Sequence, residues 1–133
     1  MSGFSVYYGQ KCINDHFVNG SAKYLALFVA DPTDNNVTAN EVSGGWYARK
    51  AIGAFAAPVG PGTITSNSNA IAFDVVSSNA VTVTHWGIYD GLTGGNLWAS
   101  GAIKDSGGVD SPKVLNVDDV FITKAGELTL DFQ

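Results

Sequence analysis

From Val81 to Tyr89 the chain alternates in residue character. Asp90-Gly91-Leu92-Thr93-Gly94-Gly95 then reverses it, and Asn96 to Ile103 returns. Period-two alternation on both sides of a glycine-rich reversal specifies an antiparallel hairpin. Val81, Val83, His85, Gly87 and Tyr89 are predicted to share one face of the first strand, and Thr82, Thr84, Trp86 and Ile88 the other. A chain built around such a hairpin needs further strands to cover it, because an isolated pair is marginal in water.

Those strands are legible on either side. Tyr24 to Ala30 is almost wholly apolar, as in a strand covered on both faces, and Asp31-Pro32 ends it because proline lacks the donor that a ladder needs. Gly44-Gly45 introduces a predicted strand over Trp46 to Ile52, and Ala57 to Gly62 is a turn. Thr63 to Thr65 is a short edge strand. Asn69 to Val75 alternates, with Ala70, Ala72 and Asp74 on one side and Ile71, Phe73 and Val75 on the other. Val114 to Val117, Val120 to Thr123 and Leu128 to Phe132 complete the set, the last tying the C-terminal end into a sheet. About eight short strands separated by Gly and Pro turns predict a mainly β fold, a single antiparallel β-sandwich of jelly-roll-like type.

The N-terminal stretch differs. Ser5 to Val18 is predicted as a short helix, with Phe4, Tyr8, Cys12 or Ile13, and His16 or Phe17 recurring at helical spacing. Ser5 is a suitable N-cap, and Asn19-Gly20 a suitable stop because both residues tolerate left-handed geometry. The organisation predicted is an N-terminal helical arm, residues 1–20, and a β-sandwich domain, residues 21–133. Phe4, Tyr7, Tyr8, Ile13 and Phe17 distribute large apolar groups around more than one face of the helix, which marks the arm as a candidate partner-binding element.

Composition narrows function by exclusion. The 133 residues are 45% hydrophobic and only 14% charged, with a formal net charge of -5. Ordinary globular domains carry about 25% charged residues, so uncharged polar residues, or partner surfaces, must cover much of this one. The seven basic residues are scattered, which argues against nucleic acid binding. No apolar run approaches the ~20 residues of a membrane helix, and Met1-Ser2-Gly3-Phe4 lacks a signal-peptide pattern, so no membrane insertion and synthesis in the cytoplasm are expected.

Chemistry-bearing constellations are sparse. Cys12 is alone, and His16 and His85 lie far apart on different elements, so no zinc-type ligand spacing exists. Asp31, Asp34, Asn35 and Asn36 crowd one loop without the spaced ligands of a calcium loop, and read as turn caps. His85, Asp90 and a serine lack a nucleophile elbow. Glu41 and Glu127 both sit beside turns, so no carboxyl pair suits glycoside hydrolysis. The expectation is a protein without catalytic, metal or cofactor residues. Among the tryptophans, Trp86 shares a face with Ile88 and is predicted core, whereas Trp98 shares a face with Asn96 and Ser100. Trp98, with Trp46, is the candidate exposed aromatic, a residue type that stacks on sugar rings or fills partner pockets.

Ordered segments over nearly the whole chain carry a family resemblance. These are Leu25 to Phe28 with Asp31-Pro32-Thr33; Glu41-Val42-Ser43-Gly44-Gly45 with Tyr47-Ala48-Arg49; Phe55 with Pro58; Asn67-Ser68 with Phe73; Val83-Thr84-His85 with Gly87-Ile88 and Asp90; Thr93-Gly94-Gly95-Asn96-Leu97; and Gly126-Glu127-Leu128-Thr129-Leu130. In this order they resemble the small tail-fibre-like and decoration-type virion structural proteins of tailed bacteriophages. The Asp34–Asn40 loop and the Lys104–Pro112 segment depart from the pattern. The resemblance implies a virion structural protein, exposed on tail or head, assembled in the host cytoplasm, non-enzymatic, packing on other capsid or tail proteins and forming a homo-oligomer, with a trimer favoured. A carbohydrate-binding module that adheres to a surface glycan is the alternative. Arg49 and Asp90 are candidates for an ion pair between strands.

Overall fold

The computed structural model describes residues 4–105 and 107–131, and its fold is mainly β, with antiparallel pairing and one short N-terminal helix. Met1, Ser2, Gly3 and Phe132, parts of the predicted arm and closing strand, lie outside the described residues. The chain divides into two compact units. The first comprises residues 1–23, 52–71 and 123–133, and the second residues 24–51 and 72–122.

The second unit holds the main sheet, a four-stranded layer ordered β2-β1-β6-β7. Its strands are β1 (Tyr24–Phe28), β2 (Lys50–Ala51), β6 (His85–Tyr89) and β7 (Leu97–Ala102). β1 and β6 pair over their full length, from Tyr24 opposite Tyr89 to Phe28 opposite His85. Leu25, Ala26, Leu27 and Phe28 are all buried, as the unbroken apolar run requires. The predicted Val81–Tyr89 strand is divided at Thr84. β5 (Val81–Val83) pairs with β8 (Lys113–Leu115), whereas β6 pairs with β1 and β7. Thr84 sits at the change of partner, donating its N–H to the Phe28 carbonyl at 2.9 Å and accepting from the Ile103 N–H at 2.9 Å. The hydrophobic face survives this change, with Val83, Gly87 and Tyr89 buried on it. Trp86, predicted core, is half-buried and lies over Gly101.

Gly87 is set by close approach. A Cβ there would come within 2.9 Å of the Phe28 ring and 3.1 Å of Leu97. Phe28 and Tyr89, with Ala26, form the buried cluster that closes over this bare stretch of backbone, and Leu97 packs against it. The predicted Trp46–Ile52 strand shrinks to β2, because the Tyr47 N–H bonds to the Gly44 carbonyl at 3.1 Å and curls the chain before it can extend. The Asn69–Val75 alternation holds through Phe73 and then slips by one, so that Val76 is buried and Val75 exposed.

In the first unit, β3 (Ile64–Ser66) pairs with β10 (Thr129–Asp131). Asn67 holds this pair together from within. Its Nδ2 donates to the carbonyls of Asn69 and Lys124 at 2.8 and 3.1 Å, and its Oδ1 accepts from the Leu128 N–H at 2.9 Å. Satisfying both ends of the amide makes a buried polar side chain tolerable. The short strands β4 (Ile71–Ala72) and β9 (Ile122–Thr123) lie where the chain passes from one unit to the other.

Helix α1 (Val6–Cys12) starts as predicted, with Ser5 Oγ accepting from the Tyr8 N–H at 3.1 Å. It continues as a wider π turn over Ile13–Val18. The ending differs from expectation. Asn19 is not left-handed (φ −111°). Instead its backbone N–H and its side-chain amide both donate to the Asn14 carbonyl, at 2.9 and 3.1 Å, and close the widened turn. Lys23 then finishes the helix. Its buried ammonium donates to the carbonyls of His16 and Ser21 at 2.9 and 2.8 Å and lies over the Phe17 ring, a favourable place for a cation at a helix C-terminus.

The widened turn also selects the buried face. Gly9, Ile13 and Phe17 point inward: of the positions the helical spacing offered, Ile13 and Phe17 are buried, Phe4 and Tyr8 are exposed, and Cys12 is a half-buried free thiol. Phe17 meets Phe55 edge-on at 5.2 Å, and Gln10 Nε2 donates to the carbonyls of Gly60 and Gly62 at 2.7 and 2.9 Å. Ile13→Ala is therefore expected to cost roughly 2–5 kcal/mol in urea denaturation, whereas Tyr7→Ala stays within about 0.5 kcal/mol. The reverse order would put the helix on its other face.

Candidate functional site

Three of the resembling segments, Leu25 to Phe28, Glu41 to Arg49 and the Thr93-to-Leu97 turn, converge in the second unit. Glu41 ends a 3-10 turn (Thr38–Asn40), and Arg49 immediately precedes β2. Their side chains form a fork, Arg49 Nε to Glu41 Oε2 and Arg49 Nη2 to Glu41 Oε1, both at 2.9 Å. Tyr47 Oη donates to Glu41 Oε2 at 2.6 Å and accepts from the Leu27 N–H at 3.1 Å. The remaining Arg49 nitrogen, Nη1, donates to the carbonyls of Gly91 and Gly94 at 3.0 and 2.7 Å, and the guanidinium lies 3.8 Å over the Tyr89 ring. One buried arginine thus links the Glu41-to-Arg49 motif to the Thr93-Gly94-Gly95-Asn96 turn. The planar guanidinium suits this task because it presents donors on two edges and a face for stacking.

Burial alone would raise the Glu41 carboxyl, but hydrogen bonds from Arg49 and Tyr47, with the guanidinium charge, outweigh it and hold the carboxyl below its ordinary value. Burial and the Glu41 hydrogen bond push the Tyr47 phenol far up, so it stays a neutral donor.

The expected Arg49–Asp90 pair does not form, because Arg49 is saturated by Glu41 and the turn carbonyls. Asp90 instead organises the hairpin from its outer side. Its Oδ1 accepts from the Asn96 N–H at 2.7 Å, and its Oδ2 accepts from Asn96 Nδ2 at 3.1 Å and from the Trp98 indole N–H at 3.0 Å. These donors, the Asn96 backbone first, lower its pKa to about 2. Gly95 must be glycine here: its φ is +77°, and a Cβ would lie 2.6 Å from Asp90 Oδ1.

Trp98 owes its position to a register change. Ile88 faces Ala99 and Tyr89 faces Leu97, so Trp98 is the extra residue of a β-bulge. A bulge bends the strand and re-aims a side chain. This one lies on an edge strand and leaves the indole 41% exposed. Trp98, Leu97, Ala99 and Ser100 form one wall of a cleft of about 200 Å³, and Asp34 forms the other. The Asp34 turn is fixed. Asp31 Oδ1 accepts from the Thr33 N–H at 2.8 Å, as the turn-cap reading predicts, and Tyr89 Oη donates to Asn36 Oδ1.

The other expected exposed aromatic is not one. Trp46 is buried at 6% exposure because the Gly44 turn folds it back, its ring edge-on to Tyr47 at 5.9 Å. In the first unit, Ile13 and Phe17 are inside, whereas Phe4, Tyr7 and Tyr8 are exposed at 53, 73 and 48%. Phe4 and Tyr8 contact each other at 5.0 Å. His85 is half-buried beside Thr84, its Nδ1 2.8 Å from Thr84 Oγ1, while Asp90 is engaged in its turn. Among the described residues, no group of His, Cys, Asp and Glu could hold a metal, and no helix is long and apolar enough to cross a membrane.

Comparison with known families decides the class. The family described as podophage GP4 fiber I protein gp80 matches residues 3–131. The chain belongs to this family. Membership makes it a structural component of the phage virion that meets other virion proteins, as the motif order implied. No curated protein matches the chain. Within this fiber family member, the Arg49 network ties the Glu41-to-Arg49 segment to β1 and to the glycine-rich turn after Tyr89.

Two outcomes are expected. Arg49→Ala strands the Glu41 carboxylate and costs roughly 3–5 kcal/mol in chemical denaturation. Replacing Glu41 and Arg49 together with Gln and Met costs clearly less than the sum of the single changes. The second outcome concerns acid. Because the folded-state pKa of Asp90 is depressed from 3.8 to about 2, its contribution is full above pH 3.8 and is lost as pH falls through about 2. Glu41, also lowered, acts in the same direction. In acid titrations followed by tryptophan fluorescence, Asp90→Asn should flatten the wild-type loss over that window.

Proposed function

We propose that this protein is an exposed tail-fibre-type subunit that acts by assembling with copies of itself, as a trimer, and packing on other virion proteins. The fiber family favours a tail position over head decoration. The division of labour follows the arm at 1–20 and the β body at 21–133. The arm contributes Phe4, Tyr7 and Tyr8 as the contact surface toward a neighbouring copy, with Ile13 and Phe17 anchoring it from beneath.

One observation carries this reading. The N-terminal segment is fixed through Gly9, Ile13 and Phe17, and still presents three large aromatics to solvent, Phe4 just before helix α1 and Tyr7 and Tyr8 in its first turn. Clustered exposed aromatics of this kind mark contact surfaces in proteins that otherwise bury them. The low charge content supports it, since interface centres are depleted in charge. Assembly in the host cytoplasm and the absence of catalysis belong to the same proposal.

Light scattering coupled to size exclusion tests it. Wild type should elute as a trimer. A variant carrying Phe4→Ser, Tyr7→Ser and Tyr8→Ser should keep its near-ultraviolet dichroism and become monomeric. A wild-type monomer that contacts no other virion protein would overturn the proposal. The exposed Trp98 cleft favours a second reading, adhesion to a surface glycan, in which Trp98 alone of the two expected tryptophans serves.

A further inference from the structure

Resting on that glycan reading, we infer that the cleft between Trp98 and Asp34 is a subsite for one uncharged hexopyranose ring. Its two walls are preformed. The bulge in β7 turns Trp98 outward, and Asp90 holds the indole by its N–H, so the ring is oriented before any ligand arrives. Asp34, opposite, sits on the turn between Asp31 and Val37. The Asp31 carboxylate, the Asn36–Tyr89 hydrogen bond and the bond from the Val37 N–H to the Pro32 carbonyl at 2.7 Å hold it in place. Preformed walls spare the ordering cost that weakens small contacts.

The size and chemistry of the cleft select the ligand. At about 200 Å³ it is smaller than the roughly 300–1,000 Å³ of pockets that enclose drug-sized molecules. It suits a single ring lying across the indole, with the rest of the glycan outside. An indole face accepts the C–H surface of a pyranose, while the ring's hydroxyl edge needs acceptors. Asp34 supplies a carboxylate that accepts hydroxyl hydrogens, and Ser100 adds a polar side chain on the β7 wall. The described lining residues carry one charge, and it is negative. Asp90, behind the indole, holds its carboxyl at about 2 and is a second fixed negative charge. With the chain at -5 overall, uronic and sialic acids are repelled.

The Trp98 indole N–H resonance reports on the subsite in the intact protein. Titration with methyl β-glucopyranoside or methyl β-galactopyranoside should shift it saturably, and the corresponding methyl glucuronide should shift it far less. Trp98→Ala should abolish binding. Because that change also removes a hairpin contact, Asp34→Ala on the exposed turn serves as the second variant. It should weaken the neutral sugar by roughly tenfold with the fold intact. Equal or tighter binding of the glucuronide overturns the ligand class, and an unchanged affinity in Asp34→Ala overturns the site. If a glycan array shows binding while the Trp98 signal does not move, this inference falls and the adhesion reading stands elsewhere on the surface. If no glycan binds at all, both fall, and the assembly proposal is unaffected.

Discussion

The second unit depends on the Arg49 guanidinium. It uses one edge for Glu41, another nitrogen for the carbonyls of Gly91 and Gly94, and its face for Tyr89. A glycine-rich turn leaves carbonyls that no ladder satisfies. Arg49 answers those carbonyls, Glu41 answers Arg49, and Tyr47 answers Glu41 while holding the Leu27 N–H. The hairpin tip, the start of β2 and the middle of β1 are thereby held in one polar chain. Such a network is stabilising only when complete, since removing one member leaves a charge without its partner. Among the described residues, no buried side-chain nitrogen or oxygen lacks a partner.

The same hairpin has a second face with a different purpose. Arg49 secures the turn from inside, and Asp90 secures it from outside through Asn96 and Trp98. Because the turn is already fixed, the bulge at Trp98 can leave an indole in solvent without loosening the sheet. A bulge on an edge strand also interrupts the regular row of backbone groups that invites unwanted strand pairing. The first unit follows similar logic. Lys23 and Asn67, both buried, satisfy carbonyls around the helix end and the β3–β10 pair. The helix is thereby anchored while its aromatic side stays exposed.

Much of the architecture was legible locally. The apolar run at Tyr24–Phe28, the stop at Asp31-Pro32, the Ser5 cap and the glycine-rich reversal after Tyr89 each depend on residues within a few positions of one another. Short-range stereochemistry therefore determined them: where the helix begins, where the chain turns, and that the fold is antiparallel β with one helix. The motif order likewise sufficed to indicate a phage structural family, because it spans the chain.

Tertiary structure alone decided the rest. Sequence offered Asp90 as a partner for Arg49, but Glu41 and two main-chain carbonyls took it, and no side-chain pattern announces a carbonyl as an acceptor. Alternation placed Trp98 in an ordinary strand, yet one extra residue in the register moved it into a bulge, and a one-residue shift sends later side chains to the opposite face of the sheet. Trp46 looked like a strand residue until the Gly44 turn folded it inward. Helical spacing left Cys12 or Ile13, and His16 or Phe17, open, and packing chose Ile13 and Phe17 for the buried face while Phe4 and Tyr8 stayed outside. In each case competing partners lie far apart in sequence and differ little in local preference, so the choice falls to packing and to the hydrogen bonds that only the assembled fold brings within reach.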